Sequence, residues 1–284
     1  MPAEIKMPEL PEVETVKRAL EKAVLNCKIL DARVLCNKFR VKTPDDFTKR
    51  ICGAKIVKLR RIAKYILIDL SNNNSIIWHL GMSGKVKFTP QDTPLEKHDH
   101  VVITTDKINL VYNDVRRFGL ILAVKTSEVE THPLLNRIGL DPFDEKLKAS
   151  YLINKLKGKT TPIKVALLDQ TLINGIGNIY ASEALYLARL SPLRPAKSLS
   201  LKECGVLIKA VRVTLNCAIE AGGSTLRDYQ KPDGSMGYFQ NRHCVYNKTG
   251  QQCPDCTCDI LKTGGVQKIV QTGRSTFYCP VLQK

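Results

Sequence analysis

The chain has few acidic residues for its size. Among its 284 residues, 27 aspartates and glutamates stand against 44 lysines and arginines, so the formal net charge is +17. This imbalance argues against an ordinary small-metabolite enzyme, because a strongly cationic folded surface attracts polyanions by releasing their counterions. We therefore expect a nucleic acid partner, although a basic surface that is merely solvated would produce the same charge.

Long apolar runs are also missing. No stretch of about 18 apolar residues occurs, and residues 1–6 do not form the apolar core of a signal peptide. With 43% hydrophobic and 25% charged residues, the chain is nevertheless apolar enough to fold around a core, as one large domain or two ordinary ones. These features predict a soluble, cytoplasmic protein with no membrane partner.

A disulfide framework is not expected either, although the chain has ten cysteines. In a chain that is not secreted, free thiols and metal ligands are more typical. Five cysteines are scattered among apolar neighbours and are predicted to be small buried hydrophobes: Cys27, Cys36, Cys52, Cys204 and Cys217. The other five crowd the last 41 residues and indicate a metal site: Cys244, Cys253, Cys256, Cys258 and Cys279.

The hydrophobic pattern changes three times along the chain. An amphipathic helix begins at Pro11, and residues 54–124 then carry short β-rich runs separated by polar turns. Helical spacing returns beyond Pro142, and residues 224–240 have the composition of a long loop. This order predicts an α+β fold, with an N-terminal helix and antiparallel β-sandwich followed by a helical region.

The most specific block is Met7-Pro8-Glu9-Leu10-Pro11-Glu12-Val13-Glu14-Thr15. Further blocks follow in order at Lys64, 80–84, 97–100, 116–119, 175–183, 222–239 and 273–279. Together they resemble the formamidopyrimidine-DNA glycosylase family, of the bacterial MutM type and related to endonuclease VIII. The resemblance implies four regions: an extension at 1–7, a catalytic β-sandwich domain at 8–140, a helix-two-turn-helix domain with a lesion-capping loop at 141–240, and a C-terminal zinc-finger-like hairpin at 241–284.

The resemblance implies that Pro8 is the nucleophile and Glu9 the general acid. A terminal amine suits this role, because it titrates near ~7.7–8 whereas lysine titrates near ~10.4, and more of it is neutral at pH 7. Pro8 is internal here, so we expect translation from Met7 followed by methionine removal. The alternative terminus, Pro2, is followed by Ala3 and lacks the adjacent acid. Pro11 and Glu12 fit an ordinary helix start.

Other residues match family positions that act on DNA. The resemblance implies that Lys64 assists β-elimination and that Arg274 grips phosphates and assists δ-elimination. Met82, Arg116 and Phe118 match the side chains that fill the stack when the damaged nucleotide is turned out. The remaining expected DNA contacts are His98, Lys159, Lys164, Gly177 and Asn178.

The C-terminal finger departs from the family pattern of two Cys-x-x-Cys pairs. Cys253 and Cys256 form the first pair, but Cys279 is followed by Leu282 where the fourth cysteine is expected. We expect one Zn²⁺ per chain on these three thiolates with Cys258 as fourth ligand. Cys244, His243 or a metal-free finger remain alternatives.

The resemblance therefore implies a bifunctional DNA glycosylase and AP lyase of base excision repair. Its expected substrate is double-stranded DNA containing 8-oxoguanine, formamidopyrimidines or abasic sites, which it would bind as a monomer. Two alternatives are an oxidised-pyrimidine glycosylase of endonuclease VIII type and a catalytically silent damage-binding protein. The second would follow if residues 1–7 remained in place, because only a chain that begins with proline can form the proline imine.

Overall fold

The computed structural model of the protein describes residues 7–36, 38–224, 232 and 237–284. Its contacts divide the chain into two compact units. The first unit comprises the residues up to 137 together with 221–238, and the second comprises 138–220 and 239–284. The predicted extension, apart from Met7, and most of the predicted lesion-capping loop lie outside the described residues.

The first unit begins with helix α1 (Leu10–Val24). The helix starts one residue before Pro11, because Glu9 is the N-cap and forms a capping box with Glu12. Its apolar stripe is buried in the core of the unit: Val13, Val16, Leu20 and Val24. The predicted amphipathic helix is therefore confirmed.

Eight strands and a short helix follow in chain order: β1 (Ile29–Val34), α2 (Phe47–Ile51), β2 (Ile56–Ile62), β3 (Tyr65–Leu70), β4 (Asn74–His79), β5 (Gly84–Thr89), β6 (Asp99–Thr105), β7 (Asn109–Asp114) and β8 (Leu120–Lys125). They form two four-stranded antiparallel sheets, in the orders β1-β6-β7-β5 and β2-β3-β4-β8.

The core of the first unit lies between these sheets. Trp78 on β4 and Tyr112 on β7 meet edge to face with ring centroids 5.2 Å apart, so side chains from both sheets interdigitate. Both residues are fully buried and belong to one apolar cluster with the stripe of α1. This packing makes the predicted sandwich a rigid base for the loops at its ends.

The second unit is mainly helical: α3 (Ala149–Leu156), α4 (Ile163–Leu167), α5 (Asn178–Leu187), α6 (Leu201–Glu220), α7 (Ile260–Thr263), and the hairpin β9 (Gln267–Gln271) and β10 (Arg274–Tyr278). Ser200 and Glu203 cap the start of α6: the Ser200 N–H donates to the Glu203 carboxylate at 2.8 Å, and the Glu203 N–H to Ser200 Oγ at 3.2 Å.

The α+β class, the sandwich, the helical region and the terminal hairpin agree with expectation. The units differ from the four predicted regions in two respects: residues 221–238 group with the sandwich, and residues 239–284 group with the helical residues 138–220. Cys36, Cys52 and Cys217 are half-buried, unlike the fully buried Cys27 and Cys204. Across the described ranges, no helix combines the length and apolar character needed to cross a membrane.

Candidate active site

The two residues that precede α1 are both buried. Pro8 and Glu9 stand directly before the helix, and Glu9 is only 4% exposed. The backbone N–H of Glu9 donates to the Glu12 carboxylate at 2.9 Å, within the capping box that begins α1. A carboxylate at this end of a helix is favoured by the helix dipole. The first turn therefore holds the Glu9 backbone, and Pro8 before it, in a defined position.

Glu12 also links this turn to a distant part of the chain. Its Oε1 accepts the backbone N–H of Ser224 at 2.7 Å, and a Cβ on Gly223 would lie 2.9 Å from the same oxygen. Ser224 pairs with Tyr238 in an isolated antiparallel bridge. The two ends of the predicted lesion-capping loop are thus joined beside α1, while residues 225–231 and 233–236 between them lie outside the described residues.

Lys64 lies in the turn between β2 and β3 and is 6% exposed. Arg61 holds this turn: its guanidinium donates to Glu14 on α1 and to the carbonyl of Ala63, both at 3.0 Å. The Arg61 and Glu14 side chains are only 9% and 14% exposed, so water screens the ion pair weakly. The pair fixes the Lys64 turn against the same helix that Pro8 and Glu9 precede.

A buried histidine supports the next loop. His79 ends β4, and burial, together with the charges of Arg40 and Lys64, lowers its pKa to about 3. Its Nδ1 accepts the backbone N–H of Gly81 at 3.0 Å, which requires an unprotonated Nδ1. His79 is therefore neutral at physiological pH and holds the start of the loop that carries Met82.

Four predicted DNA contacts lie at one end of the sandwich. Met82 is in the loop between β4 and β5, and Arg116 and Phe118 are in the loop between β7 and β8. The Arg116 guanidinium lies 4.6 Å from the centroid of the Phe118 ring, which is 43% exposed. His98 joins them, because its carbonyl accepts the backbone N–H of Asp114 at the end of β7, at 3.1 Å.

The second unit carries the helix-two-turn-helix. Residues 168–177 connect α4 to α5, and Gln170 organises these turns: its Oε1 accepts the Gly175 N–H at 2.8 Å. Gly177 is the N-cap of α5 and Asn178 its first residue. This is the helix end from which backbone N–H groups approach a phosphate.

The two lysines predicted to contact DNA in this unit differ in exposure. The Lys159 side chain is 42% exposed and its ammonium lies 3.9 Å from Asp169. Lys164 on α4 is fully buried, and its ammonium donates to Oδ1 of Asn178. Lys164 orients the Asn178 amide, and its expected contact with DNA stays a prediction.

Asn178 connects α5 to the terminal hairpin. Because Oδ1 faces Lys164, its amide nitrogen points away and donates to the Ser275 carbonyl at 2.9 Å and to the Tyr246 hydroxyl at 3.2 Å. Ser275 follows Arg274, whose side chain is exposed at the start of β10. Two predicted phosphate contacts, Asn178 and Arg274, therefore lie on elements that are bonded to each other.

Glu183 supports this arrangement, and the sequence reasoning missed it. Its carboxylate is 4% exposed and accepts the backbone N–H groups of Cys244, Val245 and Tyr246 at 2.8, 3.0 and 2.8 Å. Burial raises the pKa of Glu183, while the three N–H donors oppose the rise. Glu183 thus anchors the segment that carries Tyr246. A single acidic residue in the otherwise uncharged helix α5 was the available signal.

Three cysteines form a candidate metal centre. The sulfurs of Cys253, Cys256 and Cys279 all lie within 4.8 Å of one another, and the three residues are buried. Thiolates around tetrahedral zinc, with bonds of about 2.3 Å, are about 3.8 Å apart, so this group fits a zinc ion. Cys258 does not join it, which corrects the expected fourth ligand: its sulfur lies 3.4 Å from Thr263 Oγ1 at the end of α7.

Two family models match the chain. The formamidopyrimidine-DNA glycosylase N-terminal domain matches residues 7–121, and the formamidopyrimidine-DNA glycosylase H2TH domain matches residues 138–230. The formamidopyrimidine-DNA glycosylase of Rhodospirillum rubrum is 43% identical over 276 residues, which cover 96% of this chain and 98% of that protein. The one of Dinoroseobacter shibae is 43% identical over 288 residues, covering 98% and 100%.

Solved structures show the same similarity. A variant of Lactococcus lactis Fpg bound to DNA containing Fapy-dG has a TM-score of 0.89 and 36% identity, covering 98% of this chain and 100% of that one. Lactococcus lactis Fpg bound to DNA with an abasic site has a TM-score of 0.89 and 35% identity, covering 97% and 99%. A complex of the wild-type enzyme with DNA containing an oxidised pyrimidine has a TM-score of 0.88 and 35% identity, covering 98% and 100%.

Proposed function

This chain belongs to the formamidopyrimidine-DNA glycosylase family of base excision repair, and we propose that it is a bifunctional glycosylase and AP lyase acting on oxidised purines in double-stranded DNA. The observation that carries the proposal is the buried Pro8-Glu9 pair before α1, with the Lys64 turn fixed against the same helix. The relatives bound to Fapy-dG and abasic-site DNA support the choice of substrate.

In the proposed reaction the amine of Pro8 is the nucleophile, in a chain that starts at this residue. At neutral pH its neutral fraction exceeds that of a lysine by roughly several hundred-fold, given pKa values near ~7.8 and ~10.4. The nitrogen forms a bond to C1′ and gives up its proton, and the bond between C1′ and the damaged base breaks with its electrons on the base, which takes up a proton. Glu9 protonates O4′ as the sugar ring opens. The product is an iminium that joins Pro8 to the open sugar.

The iminium then serves as an electron sink for strand cleavage. Loss of a proton from C2′ expels the 3′ phosphate, and a second elimination expels the 5′ phosphate. We propose that Lys64 assists the first elimination, since its turn is fixed against α1 by the Arg61–Glu14 ion pair. We propose that Arg274 assists the second elimination, since it is exposed at the start of β10, the strand to which Asn178 donates a hydrogen bond.

Excision requires the nucleotide to leave the stack, which costs a few kcal/mol. Met82, Arg116 and Phe118 are proposed to fill the vacancy and offset part of that cost. His98 lies at the same end of the sandwich and is proposed to contact the DNA backbone. In the second unit, we assign phosphate contacts to Lys159 and to the backbone at Gly177 and Asn178. Residues 222–239 are proposed to close over the extruded base.

The proposal includes one Zn²⁺ per chain on Cys253, Cys256 and Cys279, which would supply folding free energy to the terminal finger. Leu282 stands at the usual fourth position, and Cys258 lies outside the group. Three protein ligands therefore hold the ion, and its role is to stabilise the hairpin that carries Arg274 rather than to act on DNA.

Borohydride trapping tests the nucleophile. Protein that begins at Pro8, mixed with duplex DNA containing 8-oxoguanine and borohydride, should form a covalent complex through the reduced imine. A chain whose residues 1–7 are verified as intact by mass should form none. Glu9→Gln, starting at Pro8, should excise the base poorly yet remain trappable on DNA with a preformed abasic site, because the imine forms there without base loss.

Each outcome separates the alternatives. Equal trapping of the intact extended chain would refute Pro8 as nucleophile. Specific binding of damaged DNA without trapping by either form would favour a damage-binding protein. Faster excision of oxidised pyrimidines than of 8-oxoguanine would favour the endonuclease VIII type.

A further inference from the structure

We propose that Ser83 and Asp114 are positioning residues that lock together the two loops bearing Met82, Arg116 and Phe118, so that these side chains enter DNA as one unit. The inference rests on the proposed insertion of the three side chains during base extrusion. Neither Ser83 nor Asp114 reaches the surface at which DNA would bind, since they are 9% and 0% exposed.

Asp114 is the centre of the connection. It ends β7, two residues before Arg116, and its carboxylate uses its two oxygens in different directions. Oδ1 accepts the hydroxyl of Ser83 at 2.6 Å, in the loop that follows β4. Oδ2 accepts the backbone N–H of Gly119 at 3.0 Å, immediately after Phe118. One buried carboxylate therefore bonds to both loops.

Ser83 makes the second link. While its hydroxyl donates to Asp114, its oxygen accepts the backbone N–H of Arg116 at 3.0 Å. Ser83 directly follows Met82, so this hydroxyl joins the base of the Met82 side chain to the base of Arg116. A serine oxygen has one proton and two lone pairs, and this arrangement uses the proton and one lone pair.

The two loops are also in close backbone contact. A Cβ on Gly81 would lie 2.3 Å from the Gly119 nitrogen, and Gly81 has φ of +69°. The Tyr112 hydroxyl lies 3.2 Å from both Asp114 Oδ2 and the His79 carbonyl, beneath this contact. Backbone therefore meets backbone, with a hydrogen-bonded buried layer below and the exposed side chains above.

This construction suits insertion into a base stack. Insertion of three side chains is favoured when their relative positions are set before contact, because ordering them during insertion would add an entropic cost. The Arg116 guanidinium already lies over the Phe118 ring, and the link through Ser83 adds Met82 to the same assembly.

The test compares two buried serine–aspartate hydrogen bonds in the same unit. Ser83→Ala removes the link between the loops. Ser75→Ala is the matched control, since the Ser75 hydroxyl donates to Asp69 at 2.7 Å, between β4 and β3 and away from these loops. Each variant loses two hydrogen bonds of the serine hydroxyl, those of Ser83 to Asp114 and Arg116 or those of Ser75 to Asp69 and Thr126. Unfolding followed by Trp78 fluorescence measures how far each variant is destabilised.

Insertion is measured with duplex DNA that carries 2-aminopurine beside 8-oxoguanine, whose emission rises on unstacking. Ser83→Ala should reduce the fluorescence amplitude and slow base excision by about tenfold, a change in an equilibrium constant of the size expected when the buried hydrogen bonds between the loops are lost. Ser75→Ala should leave both near the wild-type level. Cleavage at a preformed abasic site should change little in either variant, because no base remains to be extruded.

Met82→Ala and Phe118→Ala separate failure of this inference from failure of the proposed function. If they also leave the fluorescence signal unchanged, the insertion role itself is refuted. If they reduce it while Ser83→Ala behaves as Ser75→Ala, the coupling is refuted. Asp114→Asn, which keeps the shape of the side chain but only one acceptor oxygen, provides a second test and should act in the same direction as Ser83→Ala.

Discussion

Replacing His79 by asparagine should make the first unit less sensitive to acid. The histidine titrates near ~6.5 in an unfolded chain, whereas burial lowers its pKa to about 3 in the folded protein. A depressed folded-state pKa means that the unfolded state binds the extra proton, so stability falls as pH drops below about 6.5. Between pH 7 and pH 5 this group should remove about 2 kcal/mol from the free energy of unfolding, at about 1.4 kcal/mol per pKa unit.

The asparagine variant isolates this contribution. Its Oδ1 takes the place of His79 Nδ1 and still accepts the Gly81 N–H, but the amide does not titrate. Between pH 7 and pH 5 the variant should therefore lose about 2 kcal/mol less than the wild-type protein. The cost of replacing a ring by a smaller side chain is present at both pH values and cancels in this comparison.

Urea unfolding followed by tryptophan fluorescence measures the difference. Trp78 is the only tryptophan in the chain and is fully buried on β4 beside His79, so its emission reports the first unit. His132→Asn is the matched control: His132 Nδ1 also accepts a backbone N–H, that of Leu134 at 3.3 Å, but the residue is only half-buried. If wild type and His79→Asn lost equal stability between the two pH values, the neutral buried ring would be refuted as the source of acid sensitivity.

Three further predictions concern other parts of the molecule. Lys64→Ala should slow strand cleavage at a preformed abasic site, while the slope of DNA affinity against salt concentration should fall by only about 1. A uniform loss of DNA affinity with a normal rate of cleavage would indicate that Lys64 only binds DNA. Elemental analysis of chelator-washed, folded protein should show one zinc per chain in the wild type and in Cys258→Ser, but little zinc in Cys256→Ser. Substoichiometric zinc in a wild-type protein with full cleavage activity would indicate a metal-free finger. Arg194 lowers the pKa of Glu203 to about 2, so the stability that the wild type gains from this pair should be lost as pH falls from about 4.3 toward 2. In unfolding followed by far-ultraviolet circular dichroism, Glu203→Gln should lose less stability than the wild type over this pH range. An equal loss in the two proteins would contradict the prediction.

Local patterns were sufficient for much of the fold. The stripe of α1, the short alternating runs of the sandwich and the glycines before α5 follow from the spacing of apolar and turn residues over a few positions. The order of short motifs from Pro8 to Arg274 was enough to identify the family, because such blocks do not recur together by chance. The start of α1 was also predicted to within one residue.

The support of the site could not be predicted in this way. Glu12 was interpreted as a helix-start residue, yet it also binds Ser224, which is 212 positions away. Asp114 and Ser83 gave no signal in the sequence, although together they join two loops of the candidate site. The sequence also did not indicate that Lys164 is fully buried, because its hydrogen bond to Asn178 depends on how α4 packs against α5.

For the metal centre, too, the sequence predicted some of the ligands and the tertiary structure decided the rest. The cysteine spacing by itself determined that Cys253, Cys256 and Cys279 are candidate ligands and that Leu282 breaks the pattern. Only the tertiary structure decided that Cys258 stays outside, because the Asp259 side chain caps α7 at the Leu261 N–H and the chain turns there. Periodicity records which face of an element is apolar, whereas the partner of a polar atom depends on which distant element packs against it, and only the folded chain specifies that.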